Sequence, residues 1–303
     1  MSAAPTVATL LRDATGRLAD ALALDRSEAR IEARALLAHA LKVDHAWLIA
    51  HDRDTPAPAL RHAIESLIVR RAGGEPVAYI IGEREFFGLN FVVGPAVLIP
   101  RPDTELLVEA ALQRLPEHPS CRILDLGTGS GAIAIALARR CPSAEVVAVD
   151  VSADALAIAQ ANARRLGAAN LHCMAGDWYA GLGIKKFDLI VSNPPYIASA
   201  DPHLSAGDLR FEPLQALASG DDGLRDIRRI VAGAPAHLAD QGWLLLEHGF
   251  EQAGAVVELL QQHGFEQTCT LRDLAGLNRV SGGRWPNQPN RQARPGLGAG
   301  PAG

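Results

Sequence analysis

Over the first seventy residues apolar positions recur at spacings of three and four, through Leu10-Leu11, Leu18, Leu22 and then Ile31, Leu36-Leu37 and Leu41. That period belongs to helices that bury one face, and no strand-like alternation interrupts it. It predicts a small helical bundle over 7–72, with Ser27 capping the second helix and Asp44 a short third one carrying Trp47. Thr55-Pro56 opens a fourth helix, which ends near Gly73-Gly74. From Glu75 to Pro102 the texture changes: two β-type runs, 77–81 and 89–93, joined through Gly82 to Gly88, predict a hairpin. Ile99-Pro100-Arg101-Pro102-Asp103-Thr104-Glu105 then sets two prolines ahead of an acid-rich first turn, and apolar spacing carries a helix on toward Leu115.

From Cys121 onward the pattern alternates between strand and helix, which predicts an α/β domain with a mostly parallel, doubly wound sheet covered on both faces. Strands are expected at 123–126, 146–150, 171–177, 187–192 and 243–246, with 265–272 and 279–282 as an antiparallel hairpin at the sheet edge. Helices fall between them: an alanine-rich one to about Arg140, one capped by Ser152 and ended by Gly167, one over 224–238 and one ending near Gln262. The expected organisation is a helical bundle (1–74), a hairpin linker (75–100), an α/β domain (101–285) and a tail (286–303). The tail is rich in Gly, Pro, Gln and Asn, has little to bury, and is expected to be disordered.

Composition narrows the partners. A net charge of −5 and a pI near 6.1 argue against affinity drawn from neutralising many phosphates, so direct nucleic-acid binding is not expected. Acidic and basic residues nearly balance in the bundle, which reads as a docking module rather than a polyanion clamp. Cys121, Cys141, Cys173 and Cys269 are scattered without metal spacing, as in a reduced cytoplasmic chain, and no metal is expected. No uncharged apolar stretch approaches spanning length, so no membrane partner is expected either. The chain is expected to act as a monomer.

The chemistry concentrates at strand ends. A strand, the loop Gly127-Thr128-Gly129-Ser130-Gly131 and a helix bring main chain close to a ligand, since side chains at those glycines would occupy its space. Gly127, Gly129 and Ala132 satisfy the permissive dinucleotide fingerprint, and Asp150 stands where a ribose-binding acid belongs, so a nicotinamide cofactor stays open at this step. Asp125 is either part of the ligand site or an acid that orients the loop. Asp177-Trp178 can read an exocyclic amine and cover a ring face, or Trp178 can be core. Asn193-Pro194-Pro195-Tyr196 follows a buried strand, and its prolines stiffen the turn. The Asn193 side-chain oxygen and the Pro194 carbonyl can each accept one hydrogen of a planar –NH2 group while Tyr196 packs on its plane. Arg101, held between two prolines, either faces the ligands or pairs with Asp103.

The acid at 125 and the third glycine at 131 complete Asp-x-Gly-x-Gly-x-Gly, which resembles the first motif of class I S-adenosylmethionine-dependent methyltransferases. With it, Gly-Glu-Pro-Val-Ala-Tyr at 74–79, Arg84-Glu85-Phe86-Phe87, the Leu98 to Glu105 stretch, Asn193 to Tyr196 and Arg210-Phe211-Glu212-Pro213 make residues 5–285 resemble the protein glutamine N5-methyltransferases. The likeness is strongest to the peptide chain release factor glutamine methyltransferase (HemK or PrmC) family. The resemblance implies a seven-stranded sheet and S-adenosylmethionine held by Asp125, Gly127, Thr128, Gly129, Ser130, Gly131, Asp150, Asp177, Trp178 and Asn193. It implies chemistry at Asn193, Pro194 and Tyr196, with Pro195 and Arg101 also on the substrate. The substrate it implies is the glutamine of the Gly-Gly-Gln loop in class 1 release factors, with the bundle holding that partner. Ribosomal-protein glutamine methylation and nucleic-acid adenine methylation are the competing readings.

Overall fold

The computed structural model describes residues 4–116, 118 and 120–287. The expected disordered tail therefore lies, beyond Asn287, outside the described residues.

The N-terminal periodicity becomes α1 (Val7–Leu22), α2 (Arg26–Leu41), α3 (His45–Ala50) and α4 (Pro58–Ala72). Their apolar stripes meet in one cluster around Leu18, Leu36, Leu37, Ile64 and Ile68, each almost wholly buried. A leucine buried this completely contributes about 2 kcal/mol. Asp44 caps α3 as expected, accepting from the Trp47 N–H at 2.7 Å. Ser27 does not cap α2: Asp25, two residues earlier, accepts from the main-chain N–H groups of Ser27 and Glu28, and takes the Ser27 hydroxyl as well. The helix starts two residues earlier than the pattern placed it, so Ser27 lies inside its first turn and Asp25 holds the capping position.

The hairpin is shifted from its expected place. Residues Val77–Ile81 form a helical turn, α5, rather than a strand, and the hairpin is β1 (Glu83–Phe86) with β2 (Leu89–Val92), closed by Phe87-Gly88. Helical spacing lets α5 place Ile80 in the bundle core and Ala78 and Tyr79 in the sheet core, which strand alternation would not do. The Tyr79 hydroxyl donates to the Val97 carbonyl at 2.6 Å.

After α6 (Glu105–Leu112) come β3 (Arg122–Leu126), α7 (Ala132–Arg140), β4 (Glu145–Asp150), α8 (Ala153–Leu166), β5 (Leu171–Ala175) and β6 (Phe187–Ser192). The chain continues with α9 (Arg225–His237), β7 (Leu238–Glu247), α10 (Ala253–Gln262), β8 (Glu266–Arg272) and β9 (Asn278–Arg284). The seven strands lie in the order β5-β4-β3-β6-β7-β9-β8. The first five run parallel, and β9 joins β7 and β8 antiparallel. This is the class I methyltransferase fold, with β3 and β6 flanking the point where strand order reverses. Crevices at such switch points, outside the carboxyl ends of the strands, are where open α/β sheets bind ligands.

Two side chains fasten the N-terminal elements to segments of the α/β region. Asn162 of α8, fully buried, bonds both the N–H and the carbonyl of Val92 and donates to the Ser130 carbonyl, tying the hairpin to the glycine loop. Arg71 of α4 bonds Glu32 through two nitrogens and Asp208 at 2.8 Å.

Candidate functional site

Strand register assembles the site. Leu126 pairs with Ser192 and with Val149, so Gly127, Asn193 and Asp150 leave three neighbouring strands level with one another. Asp150 in turn pairs with Ala175, which places Asp177 and Trp178 in the turn after β5 rather than in the strand. A cavity of about 260 Å³ opens over these ends. Gly127, Thr128, Gly129, Ser130, Asp150, Asp177, Trp178, Asn193, Pro195 and Arg101 all line it. Asp125, Gly131, Pro194 and Tyr196 do not.

Asp125 lies wholly buried beneath the loop. One of its oxygens accepts from the Thr128 hydroxyl at 2.6 Å and the other has no partner among the described residues. Burial pushes its pKa up to about 7. The loop-orienting role fits this position. Gly131 is also a packing residue: a Cβ there would stand 2.9 Å from Ile135 Cδ1 and 3.2 Å from Ala159 Cβ, between α7 and α8. At Gly129 a Cβ would meet no protein atom within 4 Å, and the residue opens on the cavity.

Asp150 accepts from the Gly129 N–H at 2.8 Å and from the Ser152 N–H at 2.9 Å. One carboxylate thus holds the glycine loop and the entry to α8 while still facing the cavity. Trp178 has φ +54 and leans its ring on Gly127, where a Cβ would come within 3.3 Å of it. It also packs against the core cluster on that face of the sheet, so it is both wall and core. Its Nε1 is buried without a partner among the described residues. Asp177 takes a hydrogen bond from Arg229 at 2.7 Å.

Asn193 donates through Nδ2 to Thr104 Oγ1 at 3.2 Å, which leaves Oδ1 as the end available to the cavity. Tyr196 is turned away from the cavity. Its hydroxyl bonds Glu247 at 3.3 Å, and burial drives its pKa upward. Arg101 pairs with Glu212, not with Asp103, which faces Arg279 at 3.3 Å instead. Glu212 also accepts from the Ile99 N–H at 3.0 Å, and Arg210 donates to the Gly73 carbonyl at 3.0 Å. The segments 74–79, 98–105 and 210–213, far apart in sequence, are therefore one seam between bundle, hairpin and cavity rim.

Sequence reasoning missed Thr104 as the partner of Asn193, and missed Glu247, Asp226, Arg225 and Arg229. Glu247 had a signal: it ends the run Trp243-Leu244-Leu245-Leu246 as Asp150 ends its own strand, and Ser192 pairs with Leu246, so Glu247 emerges beside Asn193. Burial raises its pKa to about 7. Asp226, at the start of α9, is held by the Ser219 hydroxyl at 2.7 Å and by Arg225 at 2.9 Å on the cavity wall.

The family model described as "Methyltransferase small domain" matches residues 103–211, and the one described as "PrmC N-terminal domain" matches 9–82. The release factor glutamine methyltransferase of Bordetella pertussis is 54% identical over 276 residues, covering 91% of this chain and 99% of that protein. The protein of the same name from Escherichia coli K12 is 46% identical over 256 residues, covering 84% and 92%. Among solved structures, a Pyrococcus furiosus methyltransferase superposes with a TM-score of 0.51 at 19% identity, over 72% of this chain and 97% of that one. The catalytic domain of human Mettl16 does so at 0.54 and 16%, over 72% and 81%. These two likenesses are of fold. At 54% identity over almost the whole length of a relative, with Gly127, Asp150 and Asn193 level at one sheet edge, the chain belongs to the release factor glutamine methyltransferase family.

Proposed function

We propose that this chain transfers a methyl group to the side-chain amide nitrogen of the glutamine in the Gly-Gly-Gln loop of class 1 release factors. The observation that carries the reading is Asn193, which lines the cavity beside a glycine loop at the switch point of the sheet, with Nδ2 on Thr104 and Oδ1 as the remaining acceptor.

The cavity fits S-adenosylmethionine. Main chain without a Cβ at Gly129, a carboxylate at Asp150, an indole wall at Trp178 and the Asp177 turn offer close approach, acceptors for ribose hydroxyls, a face for adenine and a reader for its amine. When bound, this donor supplies an electrophilic methyl group on a sulfonium. The protein's share is orientation and charge. An amide nitrogen is a poor nucleophile because its lone pair is delocalised into the carbonyl. Asn193 Oδ1 at the cavity and the Pro194 carbonyl, in the same turn but beyond the cavity lining, accept its two hydrogens, turn the nitrogen toward the methyl, and stabilise positive charge as it develops. Both contacts strengthen as the bond forms. Holding the two reactants together supplies the rest, an effect reaching about 10⁵ M or more in effective molarity. The carbonyls or water then take the proton. The rigid turn at Pro194-Pro195 keeps these acceptors in place without reorganisation.

In this reading α1 to α4 dock the release factor and the domain limits are 1–74, 75–100 and 101–285. The site of action is the cytoplasm, where translation ends, and the chain works as a monomer. No helix among the described residues is long and apolar enough to cross a membrane. The test is label transfer from S-adenosylmethionine to purified release factor by wild type and by Asn193→Ala. Turnover should fall about 100-fold or more in the variant with donor affinity within a few-fold of wild type. Absence of label with wild type, or undiminished label with the variant, would contradict the proposal.

A further inference from the structure

The Asn193 amide can work only one way round. Presenting Oδ1 to the substrate gives an acceptor to an –NH2 group; flipped, it would set donors against donors. Thr104 alone does not decide between these, because a hydroxyl bonds equally well to either end of an amide by switching between accepting and donating. The choice follows only if the Thr104 hydrogen is committed elsewhere.

Glu247 is where it goes. It ends β7, and the pairing of Ser192 with Leu246 brings it out beside Asn193. It is 1% exposed; one carboxyl oxygen takes the Tyr196 hydroxyl at 3.3 Å, and the other has no partner among the described residues. Thr104, 3% exposed, faces the same carboxyl closely enough to pull its pKa down against the push of burial. A buried acceptor without a donor, beside a hydroxyl whose hydrogen is uncommitted, is an incomplete pair that closes by a small movement of the two side chains. We propose that Glu247 is a positioning residue for methyl transfer: it takes the Thr104 hydroxyl hydrogen, leaves the Thr104 oxygen to accept from Asn193, and so locks Asn193 with Nδ2 inward and Oδ1 toward the cavity. Through Tyr196 the same carboxyl also holds the far end of the Asn193 to Tyr196 turn. One group, from a strand that contributes no residue to the cavity lining, thereby sets the direction of the acceptor that touches substrate.

This inference rests on the proposed reaction, and two readouts separate their fates. The first is kinetic. Glu247→Gln keeps the shape but offers Thr104 either a donor or an acceptor, so the lock is lost. Thr104→Val removes the hydroxyl. Each should lower kcat by about tenfold or more with donor affinity within about twofold, Thr104→Ser should restore most of the rate, and the double variant should lose no more than the worse single one. Multiplying losses in the double variant, or no rescue by Thr104→Ser, would show separate structural effects and overturn the proposal. So would an unchanged kcat in Glu247→Gln. The second readout needs no turnover. In protein carrying isotope-labelled asparagine, the Asn193 side-chain NH2 signals, assigned by their loss in Asn193→Ala, should move and broaden in Glu247→Gln and in Thr104→Val. Signals that stay where they are in both overturn the lock. A wild type that transfers no methyl would remove the proposed reaction, while these signals would still decide the orientation.

Discussion

Gly129 and Gly131 share a loop and a left-handed backbone, yet the structure gives them different work, and adding one methyl group to each should separate binding from folding. Their φ angles are +55 and +83, so alanine at either position costs about 1–2 kcal/mol in backbone strain. Part of that, about 0.5–1 kcal/mol, is returned by the lower entropy of the unfolded chain. At Gly129 nothing further opposes the Cβ, which meets no protein atom within 4 Å. Gly129→Ala should therefore fold with a net loss of about 1 kcal/mol, a fall of about 2 °C in Tm for a chain of this size. Its methyl group projects where main chain must approach the donor, so affinity for S-adenosylmethionine should fall about tenfold or more, the effect of losing one or two close polar contacts. At Gly131 the Cβ arrives 2.9 Å from Ile135 Cδ1 and 3.2 Å from Ala159 Cβ. Ile135 is fully buried and Ala159 belongs to α8, so the contact is overpacking, which adds about 1–3 kcal/mol. Gly131→Ala should lose about 2–4 kcal/mol and several degrees, with donor affinity reduced less than in Gly129→Ala. Calorimetric melting and isothermal titration of both variants give the comparison. Equal melting losses, or wild-type donor affinity in Gly129→Ala, would refute the division of labour between the two glycines.

Three further outcomes follow from the same geometry. Asp150→Asn exchanges an oxygen that accepts a loop N–H for an –NH2 that opposes it, and should weaken donor binding by about 10- to 100-fold in titration, with a small change in Tm. Asp125 has a folded-state pKa of about 7 against an ordinary 3.8, so the native protein holds this proton more tightly than the unfolded chain; its stability contribution is full below pH 4 and is lost as pH rises through 7. Asp125→Asn lacks that slope, up to about 1.4 kcal/mol per pH unit, so its Tm relative to wild type should be higher at pH 8 than at pH 5. Arg71→Ala leaves Glu32 and Asp208 without their cation; because Asp208 is 41% exposed and can rehydrate, the loss should be about 2–4 kcal/mol rather than the larger cost of a fully buried pair, read as a lower melting temperature.

How far the chain could be read before its structure depended on whether the deciding interaction was local. The helical period of α1 to α4 and the alternation from β3 onward are local, and both emerge where the pattern placed them. Val77-Ala78-Tyr79-Ile80-Ile81 has the composition of a strand, but its neighbours demand that Ile80 face one core and Tyr79 another, and tertiary burial prevails over propensity. The site repeats this division. Strand-end position alone brought Gly127, Asp150 and Asn193 to one edge, because parallel register leaves successive strand ends level. Pocket and packing roles within the glycine motif were not legible, since Gly129 and Gly131 look alike until α8 is seen behind one of them. Nor was the direction of Tyr196, which depends on Glu247, or the pairing of Arg101 with Glu212 in preference to the adjacent Asp103. Each of those is set by a partner from a distant segment, and no spacing within one segment encodes it.

The central claim is tested most directly by offering labelled S-adenosylmethionine and this protein two purified release factors, one wild type and one with the glutamine of its Gly-Gly-Gln loop changed to alanine. Label on the wild-type factor alone is the expected result, and it establishes reaction, substrate and position together. Equal label on both factors, or none on either while the donor demonstrably binds, would contradict the account and move the acceptor to another protein or to nucleic acid.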